Sequence, residues 1–289
     1  MSSLVYLKKL SRKYIWQRIF YERLTEPLHL NVISIFIALF GNLRQKISFD
    51  LIIRQQHAYA LLDLADHAKS LGYKKATVIE FGVAAGAGLL NLQKLARQVT
   101  KSTGISFDLY GFDTGTGMPQ PQSYKDHPEL YQTGDFSMDF SLLSSKLEKD
   151  TKLILGPLSE TIHTFLLNDF TAAPIGFISV DVDYYSSTVD ALKVLELRPE
   201  NFLPRVIVYL DDLEDPSHNS YCGEQAAIAE FTTQHPMRPI EKHPFFRSYR
   251  IFKNARWIDH IYHCHILDHK IRNLLDSGRK KTILTNPYL

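Results

Sequence analysis

An α/β fold with a doubly wound, mostly parallel sheet of seven strands is what this 289-residue sequence predicts. Two observations carry the prediction. From residue 50 onward, short apolar runs alternate with longer amphipathic stretches, the rhythm of strands joined by crossover helices. The apolar runs also end on Gly or Asp, the residue types that a parallel sheet presents to ligands at the carboxyl ends of its strands.

The elements follow in order. Residues 52–71 suit a helix, with Gly72 placed to end it. ATVIEFG (76–82) reads as a buried strand and 87–101 as the helix after it. SFDLYGFD (106–113), TKLILG (151–156), IGFISVD (175–181) and RVIVYLDD (205–212) are the next four strands, with helices over 159–168, 187–196 and 223–235. PIEKH (239–243) and SYRIFK (248–253) suit a closing antiparallel hairpin. The architecture is Rossmann-like. An N-terminal helical extension (1–50) precedes the main domain (51–255), and a His-rich C-terminal extension (256–289) follows it.

Composition sets the outer limits. Hydrophobic residues make up 45% and charged residues 22%, which suits a chain that buries a core rather than one that stays disordered. A net charge of +2 gives no basis for a general nucleic-acid binder. Charge is uneven, however: within residues 1–46 lie Lys8, Lys9, Arg12, Lys13, Arg18, Arg23, Arg44 and Lys46 against Glu22 and Glu26, about +6. The plain reading is a solvated amphipathic helix, and the alternative is peripheral contact with an anionic membrane or an acidic partner. The longest apolar run, LNVISIFIALF (30–40), is too short to cross a bilayer and starts too late for a signal peptide. It is expected as a buried helix, with an interfacial segment or a homo-oligomer contact as alternatives. Cys222 and Cys264 make no disulfide framework, so a reducing cytoplasmic setting is expected.

The strand ends carry the chemistry. Glu80-Phe81-Gly82-Val83-Ala84-Ala85-Gly86-Ala87-Gly88 follows the first strand, and its small residues let the backbone pass close to a ligand. The loop has neither the Lys-Ser/Thr of a P-loop nor the G-x-G-x-x-G spacing of a dinucleotide site. Glu80 would repel a pyrophosphate and suit a cationic cofactor. S-adenosylmethionine fits, with an ammonium, a sulfonium and no phosphate. Asp113, ending the second strand, can accept hydrogen bonds from ribose hydroxyls. The Thr114-Gly115-Thr116-Gly117 run beside it also suits a turn Asp.

Asp181-Val182-Asp183 ends the fourth strand and Asp211-Asp212 the fifth. Neighbouring parallel strands would bring these carboxylates together, where they repel unless a hard divalent cation such as Mg²⁺ joins them. Helix or turn capping by the same residues is the simpler alternative. The long 114–150 linker would overhang this crevice. It brings His127 as a candidate general base, with Asp183 competing for the role. His218 is a candidate substrate contact. The tail WIDHIYHCHILDHK (257–270) is rich in His but lacks a paired ligand set for zinc. It reads as a strand with His263 and His265 on one face and Tyr262, Cys264 and Ile266 on the other.

VIEFGVAAG, YGFDTGTGMP, GPLSET, ISVDVDYYSSTVDAL and VIVYLDDLED…GEQAAIAEF together resemble, in order, the motifs of the macrocin O-methyltransferase family, over about residues 76–235. The resemblance implies an S-adenosylmethionine-dependent O-methyltransferase, assisted by Mg²⁺, acting on a hydroxyl of a sugar, glycan or other small polar acceptor. It implies Glu80, Gly82 and Gly86 at the methionine end of the cofactor, with Ala84 and Thr114 among its contacts. Asp113 would then hold the ribose, and Ser159 would approach the adenine. Asp181, Asp211 and Asp212 would ligate the metal. An NAD(P)-linked oxidoreductase, or a non-catalytic module keeping the cofactor fold, are the competing functions.

Overall fold

The computed structural model describes residues 16, 18–168, 173–213 and 218–272. Lys8, Lys9, Arg12 and Lys13 of the basic N-terminus and residues 273–289 of the His-rich extension lie outside the described residues, as do residues 214–217 just after the Asp pair.

Seven strands form one sheet in the order β3-β2-β1-β4-β5-β7-β6. They are β1 (Lys75–Phe81), β2 (Ser106–Asp113), β3 (Thr151–Leu155), β4 (Ile175–Val180), β5 (Phe202–Leu210), β6 (Ile240–Lys242) and β7 (Ile261–His265). The first five are mutually parallel, β7 is antiparallel to β5, and β6 is antiparallel to β7. This is the predicted doubly wound sheet. Its helices are α1 (Leu28–Phe40), α2 (Leu43–Ser48), α3 (Gln55–Ser70), α4 (Ala87–Thr103), α5 (Phe140–Ser144), α6 (Leu158–Asn168), α7 (Tyr185–Leu192), α8 (Gly223–Gln234) and the single turn α9 (Phe246–Tyr249).

Strand alternation sorts the core into two layers. Val78, Phe107, Leu109, Phe177 and Ile207 point to the face covered by α3 and α4, where Leu61, Leu64, Leu92 and Val99 are fully buried. Ile79, Phe112, Ile178, Val180 and Val208 point to the other face, covered by α6, α7 and α8 through Ile162, Leu192 and Phe231. A sheet buried on both faces requires continuous apolar strands, and β4 is buried at every position. Strand order reverses between β1 and β4, which makes the loops after these two strands flank the switch-point crevice.

Two expectations need correction. The closing hairpin does not pair 239–243 with 248–253. The second arm is β7, which inserts between β5 and β6. Residues 248–253 are held elsewhere: the Arg250 guanidinium reaches the Asp50 carboxylate at 2.7 Å and the Ile47 carbonyl at 3.0 Å. That buried ion pair ties the segment to α2 instead of to the sheet. The apolar run at 30–40 does form a helix, but not a buried one. In α1 only Ser34 and Ile37 are buried, while Leu28, Val32, Ile35, Phe36, Leu39 and Phe40 lie exposed. A helix apolar around most of its circumference, packed on one side only, buries one narrow face. Among the described residues no helix is long and apolar enough to cross a membrane.

Candidate functional site

The loop after β1 is shaped by what its backbone must avoid. Gly82 has φ +83°, and a Cβ there would stand 1.7 Å from the Asp181 carbonyl oxygen. The loops after β1 and β4 therefore run in contact, stitched by the Asp181 amide donating to the Phe81 carbonyl at 2.9 Å. Ala84 is left-handed at φ +45° despite its side chain, and Gly86 caps α4 at φ +83°. Glu80 is 1% exposed, and its Oε1 would lie 1.8 Å from a Cβ on Gly88 in the first turn of α4. Its Oε2 finds no hydrogen-bond partner. Burial pushes its carboxyl well above the usual range, and Asp181, Asp211 and Asp113 add to the push against Arg54.

Asp113 ties the loop after β1 to the loop after β2. Its Oδ2 accepts from the Val83 and Ala84 amides at 2.9 and 2.8 Å, and its Oδ1 from Gly115 at 2.7 Å. The turn role suggested by the Thr-Gly-Thr-Gly run is thus real, and it sets the loop that begins with Gly82. Thr114 donates its hydroxyl to the Gly117 carbonyl at 2.6 Å, shaping the next turn. Ser159 lies exposed in the first turn of α6.

Asp181, Asp211 and Asp212 converge. Each offers a carboxylate oxygen, and these oxygens lie within 4.8 Å of one another at half-buried positions. Burial, then Asp211 and Asp183, raise the Asp181 carboxyl to about 8, while Arg54 opposes the rise. Burial and the neighbouring carboxylates raise Asp212 to about 9. Asp212 Oδ2 accepts from the Asp183 amide at 3.1 Å, a bond that accompanies the left-handed φ of +57° at Asp183. The Asp211 carboxylate accepts the Tyr209 hydroxyl. Such a set of oxygens suits a hard divalent cation, which would neutralise charges that otherwise repel.

The 114–150 linker does overhang the crevice. Asp126 pins it by accepting from the Ser186 amide at the start of α7, at 2.8 Å. This places His127, left-handed at φ +50° and 2% exposed, against Gly223. A Cβ on Gly223 would stand 3.6 Å from both His127 Nε2 and the Asp183 carbonyl oxygen, so the His127 ring and the Asp183 main chain both lie against Gly223. His127 Nδ1 lies 3.0 Å from Glu129 Oε1. An ionised carboxylate only accepts, so Nδ1 carries a hydrogen, and in the neutral ring Nε2 is the acceptor. That Nε2 is buried without a partner. The His218 ring lies 5.0 Å from the His127 ring, centroid to centroid.

Two groups escaped the sequence reading. Glu224, 1% exposed, accepts from the Asp212 amide at 3.2 Å through Oε2, while its Oε1 has no partner. The GEQ that follows the Asp pair was its only signal. Arg54 brings positive charge near Glu80 and Asp181 from just before α3, and nothing local in the sequence marks it.

No family model and no curated protein matches the chain. Solved structures do. The chain is similar to the calicheamicin methyltransferase CalS11 at 20% identity, covering 74% of this chain and 80% of that one, with a TM-score of 0.51. It is also similar to the O-methyltransferase NovP at 14% identity, over 72% and 78% of the two chains, with a TM-score of 0.49. The chain shares its doubly wound fold with CalS11. At such identity the likeness is one of fold, and activity has to be argued from the site.

Proposed function

We propose that this protein is an S-adenosylmethionine-dependent O-methyltransferase that uses a divalent cation, Mg²⁺ by its oxygen ligands, to methylate a hydroxyl of a sugar, glycan or other small polar acceptor. The observation that carries the reading is the convergence of Asp181, Asp211 and Asp212 beside a glycine loop whose buried Glu80 has an unused oxygen. The fold shared with CalS11 supports it.

Glu80 fits the cofactor's ammonium: a buried carboxylate with an orphaned oxygen calls for a cationic donor. The small loop Gly82-Val83-Ala84-Ala85-Gly86 leaves room for the cofactor against the backbone, and Asp113 keeps that loop in shape. A ribose hydroxyl could add to the bonds Asp113 already accepts, since each carboxylate oxygen has two acceptor sites. Ser159, exposed at the start of α6, is assigned to the adenine end on the resemblance alone. Asp181, Asp211 and Asp212 would hold the metal, which when bound draws an acceptor hydroxyl toward ionisation. His127 Nε2, the acceptor nitrogen of the neutral ring when Nδ1 donates to Glu129, is the group we assign to take the hydroxyl proton, with the Asp183 carboxylate as the alternative.

Calorimetric titration tests the two halves separately. S-adenosylmethionine should bind the wild type and Asp181→Ala alike, whereas methyl transfer to a panel of sugar hydroxyls should vanish in Asp181→Ala and on chelation with EDTA. Absence of cofactor binding in the wild type would sink the reading. Full turnover in EDTA would remove the metal from it.

A further inference from the structure

Arg54 stands at an unusual point of the chain. It is the residue before α3, and its backbone is left-handed, with φ +54° and ψ 68°, although it is not glycine. L residues adopt this conformation only where the surroundings impose it. Here they do: Gln56 Nε2 donates to the Tyr209 hydroxyl at 3.2 Å, the His57 ring meets Tyr209 edge-on at 5.9 Å, and Tyr209 in turn donates to Asp211. The turn that carries Arg54 is thereby tied to the carboxyl end of β5, at the rim of the crevice.

The Arg54 charge is felt by Glu80, Asp181 and Tyr209. Yet no hydrogen bond or ion pair engages its guanidinium among the described residues, while the arginines at 205, 238 and 250 each hold a carboxylate. Across the same crevice, Glu80 is 1% exposed with Oε2 unpartnered. A guanidinium with unused donors and a buried carboxylate with an unused acceptor, held apart in one crevice, complement a zwitterion. The carboxylate of an α-amino acid matches the first, and its ammonium matches the second.

We propose that Arg54 binds the α-carboxylate of the cofactor's methionine moiety while Glu80 binds its ammonium. The assignment rests on reading the site as an S-adenosylmethionine site. Arg54 is then a recognition residue, selecting ligands that carry the amino-acid end, and its charge offsets part of the repulsion among Glu80 and the aspartates.

Two ligands separate this from a structural role. S-adenosylhomocysteine carries the amino-acid end. 5′-Methylthioadenosine keeps the adenosine and the thioether and lacks it. Titrated into the full chain, Arg54→Met should weaken S-adenosylhomocysteine by about ten- to a hundredfold, the loss of a charged hydrogen-bonded pair. It should leave 5′-methylthioadenosine unchanged, which also shows that the variant is folded. Arg54→Lys, which keeps the charge but not the fork, should recover part of the loss. Equal weakening of both ligands, or of neither, overturns the assignment. A wild type that binds 5′-methylthioadenosine but not S-adenosylhomocysteine more tightly overturns it while sparing the adenosine site. A wild type that binds neither ligand overturns the cofactor reading itself.

Discussion

At the scale of single residues, the crevice is defined by where a side chain is forbidden. Gly88 faces the Glu80 carboxylate, and a Cβ would meet Oε1 at 1.8 Å. Gly88 carries no left-handed φ, so alanine would suit the helix and even favour it by up to about 1 kcal/mol. The collision is with a buried carboxylate rather than with backbone. Gly88→Ala should therefore fold, displace the Glu80 carboxyl group, and lower S-adenosylmethionine affinity by about tenfold or more, as expected when one charged contact is lost. Calorimetry beside a melting curve checks it, and unchanged affinity would mean that Glu80 does not touch the cofactor. The Glu80 loop and the three aspartates were legible in the sequence because they sit at strand ends, where a local pattern predicts a spatial one. Arg54 and Glu224 were not, since their importance comes from partners at the ends of other strands. The left-handed backbone of His127, which directs that ring inward, left no mark in the sequence either.

Among the elements, β7 shows the limit of local pattern most clearly. The alternation His263/His265 against Tyr262/Cys264/Ile266 gave the strand and its two faces, and the buried Cys264 and Ile266 do pack with the α8 side. It did not give the partner. Pairing 239–243 with the next strand-like segment was the short-range choice, and the Arg250–Asp50 ion pair, across two hundred positions of sequence, overrode it. Insertion of β7 has an electrostatic consequence. His263 is 2% exposed, and its Nε2 lacks a partner. Burial, then Arg205 and the histidines at 243, 265 and 67, lower it to about 3. The unfolded chain takes up this proton near the ordinary value of about 6.5, so it binds more protons than the folded chain between the two values. Stability is therefore whole above about pH 6.5 and lost as pH falls toward 3. At pH 5 the loss from this one group is about 2 kcal/mol. Denaturant unfolding at pH 7.5 and pH 5 should show a smaller acid loss in His263→Leu than in the wild type, by about that amount. Identical pH dependence in both would show that the ring finds a proton acceptor in the fold.

For the whole molecule, the division of labour lies between a sheet that is saturated with contacts and an N-terminal helix that is not. Both faces of the sheet are covered, and the site sits where its strand order reverses. The α1 helix contributes Ile37, 9% exposed, to the core, while Val32, Ile35 and Leu39 stand 61%, 66% and 69% exposed. Apolar periodicity in the sequence gave the helix but not its burial, because burial depends on what the rest of the chain brings to it. The asymmetry sets a test of the single chain as a folding unit. Transfer of apolar area from water is the main stabilising term, so side chains that never leave water add little. Val32→Ser, Ile35→Ser and Leu39→Ser should each change stability by no more than the roughly 0.5 kcal/mol of a surface substitution plus a small helix-propensity cost. Ile37→Ala should cost about 2 kcal/mol or more. Denaturant midpoints for the four variants decide it. A loss at Val32, Ile35 or Leu39 as large as that at Ile37, growing with protein concentration, would show that these side chains are buried against another chain in solution and that the folding unit is larger than one polypeptide.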